Sequence, residues 1–166
     1  MAGYETNNFQ KHDDYMTPKY AWENIQHIIP KDKVIWECFY GDGKSGEDLR
    51  SLGFEVIHEP IDFFENNLGD ILVSNLPFSL KKEVFTRLIE IDKPFIMISS
   101  QQLLFTQYFK KIMKGKNLQL IIPSRRINFK KLVNGVVPEN WTDRCNFDCL
   151  YFCYKINLDK DITWLD

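Results

Sequence analysis

Asn75-Leu76-Pro77-Phe78 directly follows the apolar run Asp70-Ile71-Leu72-Val73-Ser74. An amide, a proline-stiffened turn and an aromatic at the end of a strand can hold a flat, amino-bearing ring. The Asn75 side-chain oxygen would accept a hydrogen bond from an exocyclic amine, and Phe78 would stack on the ring face. Acceptors fixed in this way stabilise positive charge that develops on the nitrogen as it attacks an electrophile. A second constellation, Glu37-Cys38-Phe39-Tyr40-Gly41-Asp42-Gly43, closes another apolar run. There Gly41 and Gly43 let the backbone turn sharply and approach a ligand without a side-chain clash.

Together the two segments resemble motifs I and IV of the S-adenosylmethionine-dependent N6-adenine methyltransferases. In that family motif IV reads Asn or Asp, any residue or Pro, Pro, then Phe or Tyr. The resemblance implies S-adenosylmethionine as cofactor and methyl transfer to the N6 amine of adenine in DNA. It implies a catalytic set of Asn75, Leu76, Pro77 and Phe78. The Asn75 oxygen and the Leu76 backbone carbonyl would accept the two amine hydrogens, Pro77 would hold the turn, and Phe78 would stack on the base. Cofactor contacts would come from Glu37, Phe39, Gly41 and Gly43 of motif I, with Asn75 shared between cofactor and substrate. Glu59, closing the second strand, would meet the ribose hydroxyls. Asp62-Phe63 resembles motif III beside the cofactor adenine, and Tyr15, Thr17 and Pro18 resemble motif X at the methionine end. No metal is required. Leu76 stands where many DNA enzymes have Pro, and Asn-Leu-Pro-Tyr occurs in the related ribosomal RNA adenine dimethylases, so RNA follows DNA as the expected polymer.

Other readings compete. Gly41, Gly43 and Gly46 also satisfy the G-x-G-x-x-G spacing of a dinucleotide site, although such an enzyme has no use for Asn75 to Phe78. Protein-glutamine methyltransferases carry a similar Asn-Pro-Pro-Tyr motif on an amide nitrogen, and a non-catalytic nucleic-acid-binding subunit of the same fold is a third possibility. Charge favours a nucleic-acid partner. No acid occurs from Lys93 through Pro138, while Lys93, Lys110, Lys111, Lys114, Lys116, Arg125, Arg126, Lys130 and Lys131 do. A one-signed stretch in a chain of net charge -2 creates a local positive field suited to phosphates. Arg125, Arg126, Lys130 and Lys131, interleaved with Phe129 and followed by Trp141, are the expected nucleic-acid contacts. The interval from Ser124 to Asn146 is small for reading several base pairs, which suggests a homodimer or a heteromeric partner.

Alternating elements must position these residues. Thr17-Pro18 opens a helix to about His27; Val34 to Trp36 is a strand; Ser45 or Gly46 starts a helix closed by Gly53. Strands follow at Phe54 to Ile57, Ile71 to Ser74, Phe95 to Ser99, Leu118 to Pro123 and Phe147 to Lys155, with helices at Leu80 to Glu90 and Gln102 to Met113. Asp62 to Phe64 reads as a short strand or a turn. The expected fold is α/β, the Rossmann-like class I methyltransferase fold, mainly parallel with an antiparallel C-terminal hairpin at one edge. The expected organisation is a flexible arm over 1–14, a methyltransferase domain over 15–158 and a tail over 159–166. Met1 to Asp14 is polar, and no apolar run is long enough to span a bilayer. Cys38, Cys145, Cys149 and Cys153 therefore read as reduced thiols of the cytoplasm or another reducing compartment. Their spacing suits core packing rather than a metal.

Overall fold

The computed structural model describes residues 15–131 and 147–166. In chain order these form β1 (Tyr15–Met16), α1 (Lys19–Glu23), β2 (Val34–Trp36), α2 (Lys44–Ser51), β3 (Glu55–Ile57), β4 (Ile71–Asn75), α3 (Lys81–Ile91), β5 (Phe95–Ser100), α4 (Gln107–Met113), β6 (Leu118–Ile122), β7 (Lys130–Lys131), β8 (Cys149–Tyr154) and β9 (Ile162–Trp164). Short 3-10 turns, Phe78–Leu80 and Gln101–Phe105, follow β4 and β5.

Seven strands form one sheet in the order β3-β2-β4-β5-β8-β6-β9. Strands β3, β2, β4 and β5 run parallel, and β8 enters antiparallel between β5 and β6. This is the expected α/β sheet with its antiparallel β6/β8 pair. Strand β9 then joins β6 in parallel, so the segment read as a tail supplies an outer strand. No helix among the described residues is long and apolar enough to cross a membrane.

Both faces of the sheet are covered, which is why its strands are apolar runs rather than alternating ones. Side chains still alternate between two cores. Ile71, Val73, Ile96, Ile98 and Tyr151 pack with Trp22 and Leu49 on the α1–α2 face. Leu72, Phe95, Met97 and Phe152 pack with Phe85 and Phe109 on the α3–α4 face. Cys149 and Cys153 lie on the first face in the core, and burial pushes the Cys153 thiol up to about 12.

Two helices are shorter than their sequence pattern. After Glu23, α1 loosens into turns held by three-residue bonds such as Ile25 N–H to Trp22 O, 3.2 Å. Thr106 is extended (φ -76°, ψ 142°) and breaks the expected helix over Gln102 to Met113, its hydroxyl donating to Leu103 O at 2.8 Å. Asp62 to Phe64 forms no strand. Asp62 Oδ1 instead accepts from the Phe64 N–H at 2.8 Å, and the chain turns.

Strand direction sorts the basic interval. Lys93 precedes β5, and Lys114 and Lys116 precede β6, so they sit at the end of the sheet where parallel strands begin. Arg125, Arg126 and Lys130 follow β6 and share the opposite end with Asn75. One continuous basic stretch is thus two separate groups.

Candidate active site

Ligands of open α/β sheets bind beyond the carboxyl ends of the strands, and β2 and β4 both end there. Between them lies an open-mouthed cleft lined by Tyr15, Met16, Thr17, Glu37, Phe39, Tyr40, Gly41, Asp42, Ser45 and Ser74 through Phe78. The fold brings three distant segments together here. Strand β1 reaches the cleft because it pairs antiparallel with β7, Tyr15 opposite Lys131 and Met16 opposite Lys130. Tyr20 Oη accepts from the Asn128 N–H at 2.7 Å and pins the same junction.

The loop after β2 is shaped by two left-handed glycines, Gly41 (φ 59°) and Gly43 (φ 83°). Gly43 N–H donates to Tyr40 O at 2.9 Å, and Asp42 Oδ1 accepts from the Lys44 N–H at 3.0 Å. Gly46, the third glycine of the pattern, meets His58 instead of the cleft. Its N–H donates to His58 Nδ1 at 2.8 Å, so Nε2 carries the proton and faces Phe39 O at 3.3 Å. A Cβ at position 46 would stand 2.1 Å from that nitrogen. Gly46→Ala is therefore expected to destabilise the protein by about 1–3 kcal/mol, a small-to-large change in a filled space, read as a lower urea midpoint. Burial holds the His58 pKa below its ordinary value. With the folded pKa depressed, the unfolded chain binds the proton more readily, so this contribution is complete above about pH 6.5 and is lost as pH falls.

Glu37 forms the floor of the cleft. It is fully buried, accepts from Ser74 Oγ and from the Phe39 N–H (3.1 Å), and burial pushes its pKa up to about 8 despite those bonds. Asp42 is the second carboxyl, and none of the described lining residues is cationic. The Asn75 side-chain oxygen is buried without a hydrogen-bond donor among the described residues. A buried acceptor left unpaired costs about 1–3 kcal/mol, and a ligand N–H would relieve it. At the mouth, Phe78 meets Tyr15 at 5.8 Å and Phe147 at 4.8 Å between ring centroids, all edge to face. These rings offer apolar faces to a planar group.

This arrangement does not suit a pyrophosphate. The α2 N-terminus, where one would bind, already has N–H groups engaged by Asp42 and His58, and the Asp42 carboxylate would repel it, joined by Glu37 as that group ionises near pH 8. The field favours a cation.

No protein-family model matches the chain, and no curated protein sequence matches it. Among solved structures it is similar to a dimethyladenosine transferase from Plasmodium falciparum, with 10% identity over 84% of this chain and 62% of that one, and a TM-score of 0.46. It is also similar to a Listeria monocytogenes protein assigned to the class I S-adenosylmethionine-dependent methyltransferases, with 13% identity over 95% of this chain and 67% of that one, and a TM-score of 0.45. The chain thus spans less than two-thirds of the Plasmodium protein. Likeness of this order leaves the chemistry to be read from the cleft.

Of the residues singled out in the sequence, Tyr15, Thr17, Glu37, Phe39, Gly41 and Asn75 to Phe78 line the cleft. Pro18, Gly43, Glu59, Asp62 and Phe63 do not. Phe63 is wholly buried against Trp36 and Phe39, a core ring rather than a cleft wall. Gly43 serves as the left-handed N-cap of α2. Arg126 is held by Asp148, with Nε to Oδ1 at 2.7 Å and Nη2 to Oδ2 at 3.3 Å, so its fork already has a carboxylate. Phe129 is fully buried and stacks on Phe147 at 5.7 Å, which removes it from any exposed stacking role. Trp141 lies outside the described residues, as does the 1–14 arm. Sequence reading missed Met16, Tyr40, Asp42, Ser45 and Ser74 in the lining, and Phe147 and His58 beside it. Tyr40 and Asp42 carried a signal as members of the Glu37-to-Gly43 segment, and Ser74 as a polar residue at an inward position of an apolar strand.

Proposed function

We propose that this chain transfers a methyl group from S-adenosylmethionine to the N6 amine of an adenine in a nucleic acid. The carrying observation is the Asn75 oxygen, unpaired among the described residues, which shares with Phe78 a cleft whose described lining carries two acids and no cation. The cofactor, when bound, supplies an electrophilic methyl on a positively charged sulfur. The Asp42 carboxylate fits its cationic groups, Glu37 adds a second negative charge as it ionises near pH 8, and the Gly41 turn lets backbone lie against it. Asn75 Oδ1 and the Leu76 carbonyl accept the amine hydrogens, which localises the nitrogen lone pair and stabilises charge as the new bond forms. Phe78, with Tyr15 and Phe147, holds the base plane, so that alignment lowers the barrier further. A base buried to this depth must leave its stack, so a duplex substrate requires base flipping.

DNA is the polymer favoured by the motif resemblance, and the same assay resolves RNA. Incubation with methyl-labelled S-adenosylmethionine and separate DNA, RNA and protein pools is expected to yield N6-methyladenine in DNA. Label in glutamine, or none in any pool despite cofactor binding, contradicts the assignment.

A further inference from the structure

Helix α3 begins immediately beyond the motif at Asn75 to Phe78, and its first two residues are Lys81 and Lys82. Cations are disfavoured there, because the helix dipole places positive potential at the N-terminus. Glu83 is the one acid in that turn, and no side chain caps it. Lys81 Nζ lies 5.3 Å from the centroid of the Phe78 ring, and Lys82, the next residue along the helix, is exposed. A sequence that breaks a local stability rule beside a site does so in exchange for something the site needs.

The geometry points to Lys81 and Lys82 as one side of a phosphate-contacting rim whose other side is Lys130 and Arg125. A nucleic-acid backbone would cross the aromatic mouth between them. Strand β7, which carries Lys130, is tied to Tyr15–Met16, and Tyr15 in turn meets Phe78, so the two sides flank the same three rings. Arg125 follows β6, three strand spacings from β4, or about 14 Å. The charge pattern is then complementary on two levels, with acids inside for a cationic small molecule and cations outside for a polyanion. Lys93, Lys114 and Lys116, at the opposite end of the sheet, take no part. This surface rests on the nucleic-acid reading above but not on the identity of the cofactor.

The test is fluorescence anisotropy of adenine-containing single-stranded and duplex oligonucleotides on the full chain, across a salt series. Each phosphate contact contributes about 0.7–0.9 to the slope of log K against log salt. Lys81→Ala/Lys82→Ala is expected to flatten that slope by about 1.5, and Lys114→Ala/Lys116→Ala to leave it at the wild-type value. Lys82→Glu should weaken binding while raising Tm, which separates the effect from misfolding. An unchanged slope in the first variant, or an equal loss in the second, overturns the rim. Failure of the wild type to bind any oligonucleotide overturns both the rim and the nucleic-acid reading. Salt-dependent binding that maps to Lys81 and Lys82, with no S-adenosylmethionine affinity by calorimetry, supports the rim and removes the methyl-transfer assignment alone.

Discussion

Asn75→Ala is expected to slow methyl transfer by roughly 10²–10³-fold, the usual consequence of removing one preorganised polar group from the reacting atoms. Its oxygen has no donor among the described residues, so truncation breaks no hydrogen bond to them. The variant should therefore be as stable as the wild type or slightly more so, because an unsatisfied buried acceptor has been removed. Most of the loss should fall on the single-turnover rate, with S-adenosylmethionine affinity nearly retained. A variant that is fully active would remove Asn75 from the chemistry. One that unfolds would show the side chain to be structural, contrary to its lack of partners.

Glu37→Gln should separate stability from function. The folded pKa is raised from 4.5 to about 8, so between those values the native state keeps a proton that the unfolded chain has released. Stability from this group is complete below about pH 4.5 and declines as pH rises towards 8. Glutamine keeps the shape without the titration. The variant should match the wild type near pH 4.5 and exceed it by about 1–3 kcal/mol at pH 9, less whatever its new amide loses if left unpaired. Urea midpoints at the two pH values measure this. Cofactor binding should weaken at least tenfold above pH 8, since the floor loses its counter-charge. Equal pH dependence in both proteins would place Glu37 in contact with solvent rather than in the buried floor.

Such a trade is common at functional sites, where an unpaired acceptor or a buried carboxyl is kept at a cost in stability. Here three features follow the pattern: the Asn75 oxygen, the Glu37 carboxyl and the lysines opening α3. Each is unfavourable in the empty protein, and each would be relieved by a ligand group of the opposite character.

The features legible in the residues alone are local. Apolar runs located β2, β4, β5, β6 and β8, with Gly or Pro punctuating β4, β5 and β6, because burial on both faces and backbone punctuation are written into neighbouring residues. For the same reason Asn75 to Phe78 and Glu37 to Gly41 were legible: each lies at a strand end, where this architecture puts its ligands. Tertiary structure alone decided which distant residues meet. The β1–β7 pair joins segments more than a hundred residues apart through two residues each, too short for any pattern to announce. Gly46 looked like part of a ligand loop until His58, twelve residues away, filled the space above it. Arg126 looked like a phosphate ligand until β8 brought Asp148 to its guanidinium. The basic interval looked continuous until strand direction sent Lys93, Lys114 and Lys116 to the far end of the sheet. Charge, unlike hydrophobic period, has no register with secondary structure, so its meaning depends on where the strands begin and end.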